Sequence, residues 1–121
     1  MSYDDNNVFA KILRGEIPCK KIYEDEFVLS FYDINPQKKI HALVIPKGKY
    51  VDLDDFNAKA SSDEMVGLLK GITIVAKNLK ISVDTGKGYR ALANISEDGG
   101  QEVPHLHFHL FGGEKVGKMV E

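Results

Sequence analysis

Residues 105–110 read His-Leu-His-Phe-His-Leu, a strict alternation of imidazole and apolar side chains. In an extended chain alternate side chains share a face. The segment therefore predicts a strand, roughly His105–Phe111, with His105, His107 and His109 on one side. Successive histidines on that side lie about 6.6–6.8 Å apart along the chain. Leu106, Phe108 and Leu110 take the other side. Such a strand must bury its apolar face in a core and turn its histidine face toward something polar.

The neighbouring segments supply the partners for that strand. Lys21–Tyr23 and Phe27–Tyr32 read as a hairpin around Glu24-Asp25-Glu26. His41-Ala42-Leu43-Val44-Ile45 reads as a buried strand stopped by Pro46, and Tyr89–Ile95 as another strand. Asn6 or Asn7 caps a short helix carrying Val8, Phe9, Ile12 and Leu13, which Gly15 ends. Ser61 with Glu64 makes a capping box. Behind it Met65, Leu68, Leu69, Ile72, Val75, Ala76 and Leu79 form one helical face, with Gly71 allowing close packing on a sheet. The sum is an α+β fold: a mostly antiparallel sheet of about five strands with two helices, in one domain over 1–121.

Composition narrows the partners. Sixteen basic and eighteen acidic residues give a formal charge of −2, which argues against nucleic acid or an anionic membrane as main partner. No apolar run is long enough to span a bilayer. The acidic start, Met1 to Asn7, lacks the apolar core of a signal peptide. The single cysteine, Cys19, excludes an internal disulfide and reads as a passive thiol. A cytoplasmic protein is the expectation.

The histidine face admits two chemistries. One is metal binding, since zinc often takes three histidines. Against it, the outer two positions of one strand lie about 13 Å apart at their backbones, and the chain has neither a Cys pair nor HExxH. The other is nucleophilic catalysis. Neutral imidazole attacks phosphorus well, and a covalent phospho-histidine splits one displacement into two easier steps. The preceding loop favours this second chemistry. Gly99 and Gly100 let backbone approach a ligand, adjacent N–H groups can cradle a phosphate, and Gln101 can donate to a phosphate or bridging atom. Metal binding stays open as the other chemistry of this face.

The stretch Gly100-Gln101-Glu102-Val103-Pro104-His105-Leu106-His107-Phe108-His109-Leu110-Phe111-Gly112-Gly113 resembles the signature of the histidine-triad (HIT) proteins, and Gly112-Gly113 resembles their Hint branch. Phe9–Ile12, Ile17-Pro18, Phe31–Pro36, His41–Lys47 and Asn94 are similar to family blocks in the same order. The resemblance implies a homodimer that joins its sheets, binds purine mononucleotides and hydrolyses nucleoside phosphoramidates or related mixed anhydrides. It implies His107 as nucleophile, His109 on phosphate oxygen, His105 as support for His107, and His41 nearby. It implies Asn94, the Gly100 backbone and Gln101 as phosphate contacts and Asp33 on the ribose hydroxyls. Phe9, Ile12, Phe31 and Ile34 would form the base slot; their spacing alone reads as core.

This chain departs from the family at Glu102, where many Hint proteins carry serine or threonine. It also departs at Pro104, where an aromatic residue is common, and in having no tryptophan. The resemblance implies no metal and no cofactor; a diadenosine polyphosphate hydrolase, a non-catalytic nucleotide-binding or scaffolding module, and a metal-binding protein are the alternatives. Gly112-Gly113 argues against the first.

Overall fold

The computed structural model describes residues 2–120. In chain order the elements are α1 (Val8–Leu13), β1 (Lys21–Glu24), β2 (Val28–Tyr32), β3 (Ile40–Pro46), α2 (Leu53–Lys59), α3 (Ser62–Asn78), β4 (Arg90–Leu92) and β5 (Phe108–Gly112). The strands form one sheet in the order β1-β2-β3-β5-β4, every neighbouring pair antiparallel. The α+β reading and its five strands hold.

The sheet is covered on both faces, for reasons visible in the residues. Val28, Ala42, Val44 and Leu110 point one way and pack with Leu106, Phe56 and the α3 stripe Leu68, Ile72 and Val75. Leu29, Phe31, Leu43 and Ile45 point the other way and pack with Phe9 of α1. The central strand β3 is therefore apolar at every position from Ala42 to Ile45. His41, at its edge, pairs with Phe111, and Leu43 pairs with His109. Alternation puts His41, Leu43 and His109 on the α1 face of the sheet.

The predicted caps form. Asn7 Oδ1 accepts from the Ala10 N–H. Ser61 and Glu64 make the reciprocal capping box on α3. Gly71 sits against the sheet, where an added Cβ would lie 2.8 Å from Val28 Cγ2.

Three expectations are corrected. Among the described residues there are three helices, not two. Asp52 caps α2 through the Asp55 N–H, and Asp54 and Asp55 favour its N-terminal dipole. Only Leu53 and Phe56 of α2 are large and apolar, too few for periodicity to reveal it. The strand predicted over His105–Phe111 starts at Phe108. Before that point the chain bonds elsewhere: Leu106 N–H donates to Tyr50 O and His105 N–H to Val103 O. The strand predicted over Tyr89–Ile95 shrinks to Arg90–Leu92 for the same reason, because Leu92 pairs with His109 and the ladder ends near there. Among the described residues no helix is long and apolar enough to cross a membrane.

Gly71→Ala tests the helix–sheet contact. Overpacking against the fully buried Val28 costs about 1–3 kcal/mol, more than the roughly 1 kcal/mol that alanine gains in helix propensity. The variant should melt below wild type in a thermal scan; a higher melting temperature would show that the sheet yields.

Candidate functional site

A cavity of about 350 Å³ opens on the α1 face of the sheet. Its walls bring together Phe9 from α1, Asp33 from the β2–β3 turn, His41 and Leu43 from β3, and His107 and His109. Asn94, Gly100, Glu102 and Val103 close it from the β4–β5 loop. Segments from residue 9 to residue 109 thus converge on one hollow. No lysine or arginine lies among the lining residues.

The hydrogen bonds of the histidines set their proton positions. Gln37 N–H donates to His41 Nδ1 at 3.1 Å. A neutral His41 must then carry its proton on Nε2. That atom lies 2.9 Å from His109 Nδ1 and 3.4 Å from Asp33 Oδ2. His41 Nε2–H donates to His109 Nδ1, so His109 turns an N–H at Nε2 outward. His107 runs the opposite way. Its Nδ1 lies 2.7 Å from the His105 carbonyl, which can only accept. His107 therefore holds its proton on Nδ1 and keeps a bare lone pair on Nε2.

Burial supports these neutral states. It pushes His105 and His109 down to about 4, with neighbouring imidazoles adding to the effect at both. It also lowers His107, against the opposing pull of the His105 carbonyl, Asp33 and Glu102. His41 is lowered by burial against the pull of Asp33. With that ring neutral, the Asp33–His41 contact is not an ion pair.

The three histidines of the motif do not share one face as the simple strand predicted. The His107 and His109 rings are neighbours, with centroids 5.0 Å apart. His105 is wholly buried, and its Nε2 lies 2.8 Å from Pro46 O. It does not line the cavity, so the triad cannot close around one ion. A different trio, Asp33, His41 and His109, has ligand atoms within 4.8 Å of one another. There the proton on His41 Nε2 occupies the space between the three, and Gln37 N–H occupies the other nitrogen. His41 and His109 form a hydrogen-bonded pair, with the Asp33 carboxylate beside them.

Other expected site residues are distributed unevenly. Asn94 and Gly100 line the cavity. Gly100 has φ +77°, with open space around its Cα, while a Cβ on Gly99 would lie 2.4 Å from Ile95 O. Gly100 permits the turn and Gly99 permits its packing. Gln101 Nε2 donates to Val51 O and Val103 O, and its Oε1 accepts from Ser96 N–H. Its amide holds the loop. Phe31 is buried edge-on against Phe9, centroids 5.6 Å apart. Ile12 lines a second hollow beside Leu13, Cys19 and Leu29. Ile34 is 91% exposed.

Two contributors were missed from the sequence. The Gln37 N–H is backbone, which residue type does not reveal. Tyr3 Oη lies 2.6 Å from His105 Nδ1, a contact between residues 102 positions apart that no local pattern signals.

The pH dependence of stability follows from the lowered values. Unfolded histidines take up protons near 6.5, whereas folded His105 and His109 resist until about 4. Between those limits the unfolded state binds more protons, so stability is fully present above pH 6.5 and falls as pH drops toward 4. The melting temperature should decline over that interval, and less steeply in His109→Gln. Equal slopes in the two proteins would remove His109 from the explanation.

Comparison with known proteins agrees with this architecture. The HIT domain family matches residues 14–116. An uncharacterized 13.2 kDa HIT-like protein from Azospirillum brasilense is 55% identical over 98% of this chain and 95% of its own length. An uncharacterized HIT-like protein from Helicobacter pylori is 50% identical over 90% and 98%. Among solved structures, a HIT family hydrolase from Clostridium thermocellum superposes with a TM-score of 0.86 at 36% identity, over 98% of this chain and 99% of that one. A HIT family hydrolase from Legionella pneumophila gives 0.75 at 40% identity, over 93% and 96%. With a domain match and relatives that span nearly its whole length, the chain belongs to the HIT family.

Proposed function

We propose that this protein is a Hint-like hydrolase that cleaves nucleoside 5′-phosphoramidates, or related nucleotidyl conjugates, through a covalent nucleotidyl-histidine. The observation that carries the reading is the opposite polarity of two adjacent imidazoles. His107 offers a bare Nε2 because its Nδ1–H is held by the His105 carbonyl. His109 offers an N–H because its Nδ1 accepts from His41. A lone pair for phosphorus and a donor for phosphoryl oxygen are the two groups a displacement at phosphorus needs side by side.

In the proposed reaction His107 Nε2 attacks the α-phosphorus and the P–N bond breaks. The amine leaves carrying a proton taken from solvent water, and the nucleotidyl group rests on His107. Water then attacks the same phosphorus and returns one proton to solvent. The P–N bond to His107 breaks, releasing nucleoside monophosphate and the free imidazole. His109 Nε2–H, Asn94 and the Gly100 backbone stabilise the phosphoryl oxygens, with Gln101 fixing the loop that carries Gly100. Asp33 accepts from the ribose hydroxyls. Phe9 and Ile34 flank the base, with Phe31 and Ile12 behind and beside Phe9. No metal and no cofactor enters the reaction.

The charge of the cavity bears on the alternative substrates. Two carboxylates, Asp33 and Glu102, line it together with neutral histidines and no lysine or arginine. That lining suits one phosphoryl group and disfavours a polyphosphate chain, which weighs against diadenosine polyphosphates. The complete donor and lone-pair set weighs against a purely scaffolding role. A homodimer is part of the same reading, supported by apolar Val66 and Leu69 on α3, 50% and 66% exposed. The cytoplasm is the proposed compartment.

The decisive experiment is hydrolysis of a fluorogenic adenosine phosphoramidate, with a chelator present. Wild type should turn over and His107→Asn should lose activity by at least about 10⁴-fold while its circular dichroism stays native. Activity retained in His107→Asn would remove the nucleophile. Asp33→Ala should weaken binding of AMP several-fold more than of 2′-deoxy-AMP, read by calorimetry; equal losses would remove Asp33 from the ribose contact.

A further inference from the structure

We propose that Tyr3 is a positioning residue for His107, acting through the His105 side chain and carbonyl. The inference rests on His107 as nucleophile and adds a residue that lies outside the cavity.

The argument begins with the wholly buried His105. Its Nε2 faces the Pro46 carbonyl at 2.8 Å. A carbonyl only accepts, so Nε2 carries a proton. In a neutral ring Nδ1 is then bare and needs a donor. The Tyr3 hydroxyl stands 2.6 Å away, with its ring edge-on to the imidazole at 5.6 Å and 74°. Tyr3 O–H donates to His105 Nδ1, and His105 Nε2–H donates to Pro46 O. Both ring nitrogens are tied, so the ring cannot turn without stranding two buried polar atoms.

The backbone of the same residue holds the nucleophile. His105 C=O accepts from His107 Nδ1–H at 2.7 Å. Locking the His105 ring locks the peptide that fixes the His107 tautomer. Phe9 packs edge-on against both rings, at 6.3 Å from His105 and 4.9 Å from His107. Tyr3 itself is anchored by its neighbours. Asp5 pairs with Lys49 at 2.8 Å, Arg14 donates to Asp5 O, and Asn7 donates to Asp4 O. The N-terminal segment thus runs as a strap from α1 to the loop after β3, with the phenol at the back of the histidine.

Tyr3→Phe keeps the ring and removes only the hydroxyl. The expected result has two parts. With the phosphoramidate substrate, kcat falls about three- to tenfold, the range that loss of one hydrogen bond gives, while KM changes less than twofold. In two-bond ¹⁵N–¹H spectra, His105 Nδ1 moves toward the value of an unbonded imidazole nitrogen. Wild-type kcat in Tyr3→Phe overturns the proposal. So does a lowered kcat with an unmoved His105 signal, because the effect would then bypass His105. The nitrogen signal needs no turnover, so it judges the Tyr3 contact even if the His107→Asn comparison removes the nucleophile. Tyr3→Ala, which also loses the edge-on packing, should lower kcat at least as far as Tyr3→Phe; an equal effect supports the hydroxyl as the whole contribution, and a smaller one overturns the proposal.

Discussion

Burial keeps the imidazoles of this site uncharged, and the far nitrogen of each ring then decides what its near nitrogen can do. A charged imidazole donates from both sides and cannot attack. A neutral one has a donor end and an acceptor end, and a fixed partner at one end dictates the other. His107 has the His105 carbonyl behind it and offers a lone pair. His109 has the His41 donor behind it and offers a proton. The same burial that lowers their affinity for protons makes the assignment of ends unambiguous. The rest of the site supports these two polarities.

The sheet is what permits that burial. Its central strand β3 is enclosed on both faces, so the residues across from it inherit a dry environment without a deep pocket of their own. His109 lies across from Leu43 and Leu110 across from Ala42. One strand thereby feeds chemistry to one face and core to the other. Ending the ladder at Phe108 releases the preceding residues to bond with the loop after β3. That release turns His105 away from the cavity and brings its carbonyl under His107.

Much of this was legible in the sequence, and the limits have physical causes. Period-two alternation identified β5 and its core side. The capping box and the apolar stripe identified α3, and Gly71 announced its contact with the sheet. Alternation could not say where the ladder stops, because that depends on hydrogen bonds to Tyr50 and Val103. Helix α2 carries too few apolar residues to leave a periodic trace. In the site, His107 and His109 were readable from their spacing. Gly100 was readable from the glycine pair ahead of the histidines, whereas Asp33 and Asn94 were readable only by resemblance, since each is an ordinary turn or loop residue by type. Tyr3 was unreadable either way: its partner is 102 positions distant.

The proton on His41, and through it the polarity of His109, depends on the main-chain N–H of Gln37. Every amino acid but one supplies that group, so the identity of the side chain at position 37 has no bearing on it. The Gln37 side chain reaches the relay only indirectly, through its bond to Asn35 O in the same turn. Proline alone removes the donor. The relay therefore forbids one residue at position 37 by main-chain chemistry alone.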